Sequence, residues 1–391
     1  MQRQIAIVTG ANSGVGYAIV QRLAEESPLP LTVVLACRSK ARAEEALENL
    51  KKHFDAKHQH KDDKSRSDKQ VQFHIPDLRI ELVDIGSVDS VLAFVQRIKD
   101  QFARVDYLFC NAGVLPAEGI RYSKIVTDLF TCPLDLVIRS DVLIQPKQHL
   151  TKDGIGNVFA CNVFGHYMMI KGLEDQLNKT EDDPGRVIWT GSLTGEKNSY
   201  RASDWQGLES NMPYESSKWA TDLLAIRLNE MWANGYSQDE IINDTVPLIC
   251  SSSNNAPAKT DSSNGLEATV SSQLAARSSS PSKTTKKHIV SLSTQPGVVV
   301  SGIGNLPYWI ILLRVALHYV VRFFGEPNQT LSGYHGAKSN VYVALKTPIK
   351  SLDYRSKYGS CVKSLGKEFL RVDRVSEYDE SQARHIVAEM E

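Results

Sequence analysis

The chain is 391 residues long, 42% hydrophobic and 23% charged, a globular composition with enough length for one large core or two ordinary ones. Its 45 basic and 45 acidic residues cancel, so no global field draws it to nucleic acid, and any attraction to a membrane must come from a local patch. Six cysteines (Cys37, Cys110, Cys132, Cys161, Cys250, Cys361) show neither C-x-x-C pairing nor histidines at zinc spacing, which argues for reduced thiols on a cytosol-facing protein and against a structural metal.

The apolar run Ile5 to Val8 is too short for a signal-peptide core and leads straight into glycines, so it reads as a strand. N-x-T matches at Asn178, Asn243 and Asn328 are then chance. Strand-like runs alternate with helical patterns along the chain: QIAIVT, a helix over about 14–26, LTVVLA, an Ala/Glu-rich helix, LRIELVD and a helix near 87–102. VDYLFC, a helix over about 153–177, RVIWTG, a helix over 213–232 and HIVSLST continue the series. This β-α-β rhythm predicts an α/β fold, a Rossmann-type doubly wound parallel sheet forming a single domain over 1–391. Two insertions interrupt it. Residues 51–70 are dense in Lys, His and Asp and read as a solvated loop; residues 246–287 are Ser-rich, of low complexity, and read as disordered and dispensable for catalysis.

After the first strand comes Thr9-Gly10-Ala11-Asn12-Ser13-Gly14-Val15-Gly16. Gly10 permits a tight turn, Gly14 lets backbone approach a pyrophosphate, and Gly16 allows close helix packing, with the helix N-terminus supplying free N–H groups and positive dipole. In the NAD version of such a site an acidic residue follows by about 20 residues. Here the second strand ends in Arg38, Ser39 and Lys40, whose guanidinium and ammonium suit the 2′-phosphate of NADPH; the competing reading is a helix start with solvated basic residues. Asp84, ending the third strand, can accept the adenine amino group or cap the next helix. Asn111, Ala112 and Gly113 end the fourth strand and bring bare backbone against the cofactor.

Tyr214 and Lys218 are four apart at the start of a helical pattern, which puts phenol and ammonium on one face. A fixed cation favours phenolate and is expected to lower the phenol's ordinary pKa of about 10. Hydride arriving at a ketone carbon leaves negative charge on oxygen, which a positioned acid must neutralise. Ser192 ends the strand RVIWTG, on the edge where open α/β sheets bind ligands, and can donate to the carbonyl; alone it would read as a loop serine satisfying local backbone. Asn162 is a polar residue in an apolar helical stripe, either a satisfied core amide or a water-holding relay beside Lys218.

Taken in order, the TGxxxGxG loop at Thr9 to Gly16, NAG at Asn111, Asn162, Ser192, Tyr214, Lys218 and Gln295-Pro296-Gly297 resemble the short-chain dehydrogenase/reductase family over most of the chain. The resemblance implies Asn162 as a relay, Ser192 as carbonyl binder, Tyr214 as acid, and Lys218 as ribose ligand and activator. It also implies a cofactor lined by Thr9, Asn12, Ser13, Val15, Pro296, Gly297, Val299 and Ser301. The stretch from RVIWTG through PYESSKWATDLL is similar to the 3-keto-steroid reductases of sterol C4 demethylation. That implies an NADPH-dependent reduction of a sterol 3-ketone to the 3β-alcohol, at the cytosolic face of the endoplasmic reticulum or a lipid droplet. Sterol C4-methyl oxidase and a C3 dehydrogenase/decarboxylase would be partners. Departures from the pattern are a long interval between Ser192 and Tyr214 and the Ser-rich insertion before Pro296. The alternatives are another lipid carbonyl, a 17-keto steroid or retinal, or a scaffold without turnover.

Residues 305–325, LPYWIILLRVALHYVVRFFG with its flank, approach the length of a span. Arg314, His318 and Arg322 recur every fourth residue as one stripe. This fits a helix lying in a membrane interface, basic side toward lipid phosphates, or a core helix with its polar stripe in water; spanning is disfavoured by the charges.

Overall fold

The computed structural model describes residues 3–62, 73–132, 142–234, 286–299, 308–375 and 377–391, with the side chains at 60–62, 129, 234 and 308–314 outside the description. The Ser-rich stretch up to residue 285, residues 63–70 of the charged segment, Cys250 and Ser301 therefore lie outside the described residues.

Alternating apolar runs and amphipathic helices give β1 (Gln4–Thr9), α1 (Gly14–Glu26), β2 (Leu31–Cys37), α2 (Lys40–Asp62), β3 (Asp77–Leu82), α3 (Val88–Gln101) and β4 (Tyr107–Cys110). An excursion follows, built on the two-stranded ladder of β5 (Gly119–Ile120) and β6 (Leu143–Ile144), with α4 (Tyr122–Thr131) between them. The chain then runs through α5 (Asn157–Phe159), a π-helical turn (Ala160–Phe164), α6 (Gly165–Gly172), α7 (Glu174–Leu177), β7 (Gly185–Thr190), α8 (Pro213–Asn234) and β8 (Ile289–Gln295). It closes with α9 (Tyr308–Phe323), α10 (Gly333–Gly336), α11 (Lys338–Leu345), β9 (Ser356–Val362), β10 (Glu368–Arg374) and α12 (Glu380–Met390).

The main sheet has the order β10-β9-β8-β7-β4-β1-β2-β3, parallel throughout except for β10, which pairs antiparallel with β9. The direction of winding reverses between β1 and β4, so their C-terminal ends open a crevice, the place where doubly wound sheets take ligands. Both faces are covered. Phe94 and Ile98 of α3, Tyr167 of α6 and Leu223 and Leu228 of α8 pack on Ile7 and Leu108, whereas Ile19 of α1, Phe54 of α2 and Val341 of α11 pack on Ala6 and Val8, the neighbouring pleat positions. The doubly wound expectation is met, and the β9–β10 hairpin extends the sheet beyond the strands read from sequence.

One expected loop is partly helix. Residues 51–62 continue α2, because Phe54 inserts into the core and the charged residues around it are paired rather than merely solvated. Glu25 of α1 receives His53 at 2.6 Å and Lys57 at 3.1 Å, and Lys52 meets Glu48 one turn back at 2.6 Å.

The stripe on α9 also faces the other way from expectation. His318 is fully buried, its Nδ1 within 2.7 Å of Gln329 Oε1, and Arg322 Nε donates to the Lys363 carbonyl at 3.3 Å. Tyr319, Val320, Phe323 and Phe324 are the exposed side. The buried Gln329 turns His318 inward, while Arg322 is half-buried and meets an exposed loop at Lys363; the side chain of Arg314 lies outside the described residues. Among the described residues, no helix is long and apolar enough to cross a membrane.

Candidate active site

The turn from β1 into α1 needs its glycines. Gly10 and Gly14 have φ of +66° and +56°, in the left-handed region that disfavours side chains, and a Cβ on Gly16 would stand 2.3 Å from the Gly10 carbonyl oxygen. Ser13 precedes the helix without a side-chain hydrogen bond to its first turn, which leaves the N–H groups there without a side-chain cap. Arg38, Ser39 and Lys40 are exposed at the end of β2. Ser39 also begins α2, accepting the Arg42 N–H, and Lys40 sits 3.8 Å from Glu44, so the helix-start reading holds for these two alongside any anion role, and Arg38 is the cation at the strand end.

Thr9 ties this loop to the NAG turn. Its hydroxyl oxygen accepts the N–H groups of Asn111 and Ala112, both at 2.9 Å, and the Asn111 amide donates to the Thr9 carbonyl at 3.0 Å. Gly113 then lies against the next layer, where a Cβ would come within 2.9 Å of Asn162 Oδ1 and 3.9 Å of Lys218 Nζ. Asp84 accepts the Gly86 N–H at 3.1 Å and so holds the turn ahead of α3. Gly297, at φ +72°, lets the chain after β8 lie on the Asn328 carbonyl, and Val299 bridges to Leu331.

The π-helical turn displaces the backbone pairing around Asn162, a distortion frequent at functional sites. The Asn162 side chain is fully used: Oδ1 accepts the Val114 N–H at 2.7 Å, and Nδ2 donates to Ser217 Oγ at 2.9 Å and the Val114 carbonyl at 3.1 Å. It is thus a satisfied core amide that joins the NAG segment to α8, and any relay of protons would use its backbone.

Tyr214, Lys218 and Ser192 converge where β7 ends and α8 begins. Lys218 donates to the Thr190 carbonyl at 2.8 Å, and its ammonium lies 5.6 Å from the Tyr214 ring centre. Burial brings the Lys218 ammonium down to about 8, with Asp222 pulling it up and Lys357 pushing it down. Burial pushes the Tyr214 phenol up to about 12, opposed by a hydrogen bond with Ser192 and aided by the Glu215 carboxylate. The lowering expected from Lys218 is not found: Ser192, and not the ammonium, is the group that opposes the rise. Ser192 Oγ also accepts the Thr194 N–H at 3.2 Å, so it closes a local turn as well as meeting the phenol.

Two residues essential to this geometry carry no sequence signal of their own. Gln145, buried at the end of β6, accepts the Tyr214 N–H at 2.9 Å and donates to Glu215 at 2.8 Å, clamping the first turn of α8 to the excursion after β4. His166, one turn beyond Asn162, is buried with Nε2 2.9 Å from Thr9 Oγ1; burial, then the Lys218 cation, hold it down to about 3 and therefore neutral.

A backbone-lined turn, an uncapped helix start and an exposed arginine at the next strand end fit a dinucleotide, and phenol, hydroxyl and ammonium stand along the same edge. The short chain dehydrogenase family model matches residues 70–243. The 3-keto-steroid reductase/17-beta-hydroxysteroid dehydrogenase 7 of Rattus norvegicus is 26% identical across 97% of this chain and 92% of its own length. The 3-keto-steroid reductase of Schizosaccharomyces pombe is 31% identical across 57% and 62%, and that of Saccharomyces cerevisiae 25% across 96% and 90%. Among solved structures, the L-sorbose reductase of Gluconobacter frateurii shares the fold with a TM-score of 0.50 at 16% identity, over 93% of this chain and 96% of that one. Over residues 70–243 the chain is similar to the short-chain dehydrogenase family, and it is an oxidoreductase that works with a nicotinamide cofactor.

Proposed function

We propose that this protein is an NADPH-dependent 3-keto sterol reductase that converts the C3 ketone of a sterol intermediate to the 3β-alcohol. The observation that carries the chemistry is the convergence of Ser192, Tyr214 and Lys218 on one edge of the sheet beside the glycine turn; the names of its relatives carry the substrate. The turn Thr9 to Gly16, with Asn12, Ser13 and Val15 in its wall, would hold the pyrophosphate, Arg38 the 2′-phosphate, and the backbone of Asn111 to Gly113 and Pro296 to Val299 the remaining length. When bound, the reduced nicotinamide supplies the hydride. Ser192 donates to the ketone oxygen and orients it, and Tyr214 delivers the proton that neutralises the oxyanion. Lys218 stabilises the phenolate left behind and anchors a ribose hydroxyl. Gln145 keeps the first turn of α8 from drifting as that proton moves.

Cofactor oxidation by purified protein tests this with cholestanone, estrone and retinal side by side, each with NADPH and with NADH. The expected result is turnover of the 3-keto sterol with NADPH, and loss of about 100-fold or more in kcat for Tyr214→Phe in a folded protein. Full reduction by Tyr214→Phe would overturn the catalytic assignment, absence of turnover with all three ketones would leave the scaffold reading, and preference for estrone or retinal would move the substrate. A lipid substrate also suits the apolar side of α9. We place the membrane contact there, with Phe323 and Phe324 (71% and 82% exposed) and Leu365 (97%) at the end of the helix. In this arrangement aromatic side chains, rather than the basic stripe, meet the bilayer of the endoplasmic reticulum or the monolayer of a lipid droplet.

A further inference from the structure

The end of β7 is held by groups remote from it in sequence, and two of them form a buried ion pair that the reduction chemistry does not itself require. Asp222 stands one helical turn beyond Lys218 on α8 and is fully buried. A carboxylate in that position is tolerated only with partners. Its Oδ1 accepts the Ser293 hydroxyl at 2.6 Å, and its Oδ2 is paired with the ammonium of Lys357, whose side chain from β9 is 15% exposed. The same ammonium donates to the backbone carbonyl of Ser192 at 3.1 Å. One residue earlier, Gly191 donates its N–H to the Thr294 carbonyl at 2.7 Å, and a Cβ there would approach Asp222 Oδ1 to 3.3 Å. The ends of β7, β8 and β9 and the catalytic helix therefore meet on this pair, directly behind Ser192.

We propose that Asp222 and Lys357 are a positioning pair for the reduction: Lys357, oriented by Asp222, grips the Ser192 carbonyl and so fixes the serine hydroxyl relative to Tyr214 and Lys218. This rests on the reading of those three residues as the catalytic set. A pair that served folding alone would have no reason to direct a donor at the serine's own carbonyl.

The pair also sets opposing charges beside Lys218. That ammonium is faced by Tyr214 and Asp222 from its own helix, by Lys357 from β9, by His166 from α6 and by the Thr190 carbonyl from β7. Asp222 favours the protonated form and Lys357 disfavours it. Removing one charge at a time must then move the titration of Lys218 in opposite directions, which loss of packing would not do.

The test is steady-state reduction of cholestanone by NADPH across pH, with Ser192→Ala, Lys357→Met, Lys357→Arg and Asp222→Asn in the full chain. Expected for Lys357→Met is a fall in kcat of about 10- to 100-fold with KM for NADPH little changed, partly restored in Lys357→Arg. The alkaline limb of kcat/KM is expected to move to lower pH in Asp222→Asn and to higher pH in Lys357→Met. Unchanged kcat and an unmoved limb in folded Lys357→Met, with Ser192→Ala inactive, overturn the proposal alone. Full activity of Ser192→Ala overturns the catalytic assignment and the proposal together. Should Lys357→Met fail to fold, Asp222→Asn decides, because the amide oxygen can still accept from Lys357 while its NH2 donates to the Ser293 hydroxyl oxygen, with the charge removed; wild-type kcat and an unmoved limb there overturn the proposal.

Discussion

Burial moves Lys218 and Tyr214 away from their ordinary proton affinities in opposite senses, the lysine down to about 8 and the tyrosine up to about 12. The tyrosine consequently keeps its proton through the physiological range and is available as an acid, and the pH limit falls on Lys218. As pH rises through about 8, Lys218 loses its charge and with it the stabilisation proposed for the phenolate, so kcat/KM for ketone reduction is expected to decline on that side. Unfolding would not be the cause. A lysine that titrates at about 8 when folded, against 10.5 in the open chain, makes the folded state more stable as pH rises between those values. Circular dichroism unchanged across the limb checks this. Tyr214, Lys218 and Ser192 were legible in the sequence because each lies at a strand end or in the first turns of one helix. Gln145 and Lys357 were not: they act on Tyr214 and Ser192 across separations of 69 and 165 residues, which no local pattern encodes.

At the scale of elements, periodicity revealed the helices and strands of the sheet from β1 to β8 but not α4, α10, α11, α12 or the β9–β10 hairpin, and glycine chemistry revealed the β1 to α1 turn. Gly16→Ala is expected to raise the dissociation constant for NADPH at least about 10-fold and to destabilise the fold by roughly 1–3 kcal/mol, since its Cβ would meet the Gly10 carbonyl oxygen at 2.3 Å and Asn111 Nδ2 at 2.6 Å. Cofactor titration and a thermal melt measure both. What periodicity could not supply is the direction a stripe faces. On α9 the every-fourth-residue spacing of Arg314, His318 and Arg322 is plain in the sequence, but the buried Gln329 that draws His318 inward follows the helix and gives no periodic signal. On α2, the charged segment concealed a core residue, Phe54, and partners on α1.

For the molecule as a whole, the eight-stranded sheet joins two layers of helices, and the apolar side of α9 stands outside both. Replacing Phe323 and Phe324 together by Asp is expected to abolish co-sedimentation with phosphatidylcholine vesicles while kcat for a small water-soluble ketone stays within about 2-fold. Retained sedimentation would remove α9 as the contact. The segment that follows α9 runs back to the cofactor crevice: Leu331 bridges to Val299, and Gly333 packs so closely that a Cβ would stand 2.6 Å from the Gly14 carbonyl oxygen. The surface proposed to meet lipid and the turn proposed to hold pyrophosphate are thus joined by a short covalent path with no slack at its far end. Linkage then imposes a symmetry on the two binding events: whatever factor a bilayer applies to cofactor affinity, the bound cofactor applies to affinity for the bilayer. A reductase built this way would hold its reducing equivalent most firmly where its insoluble substrate is, if the factor exceeds one, and would release it there if the factor is smaller.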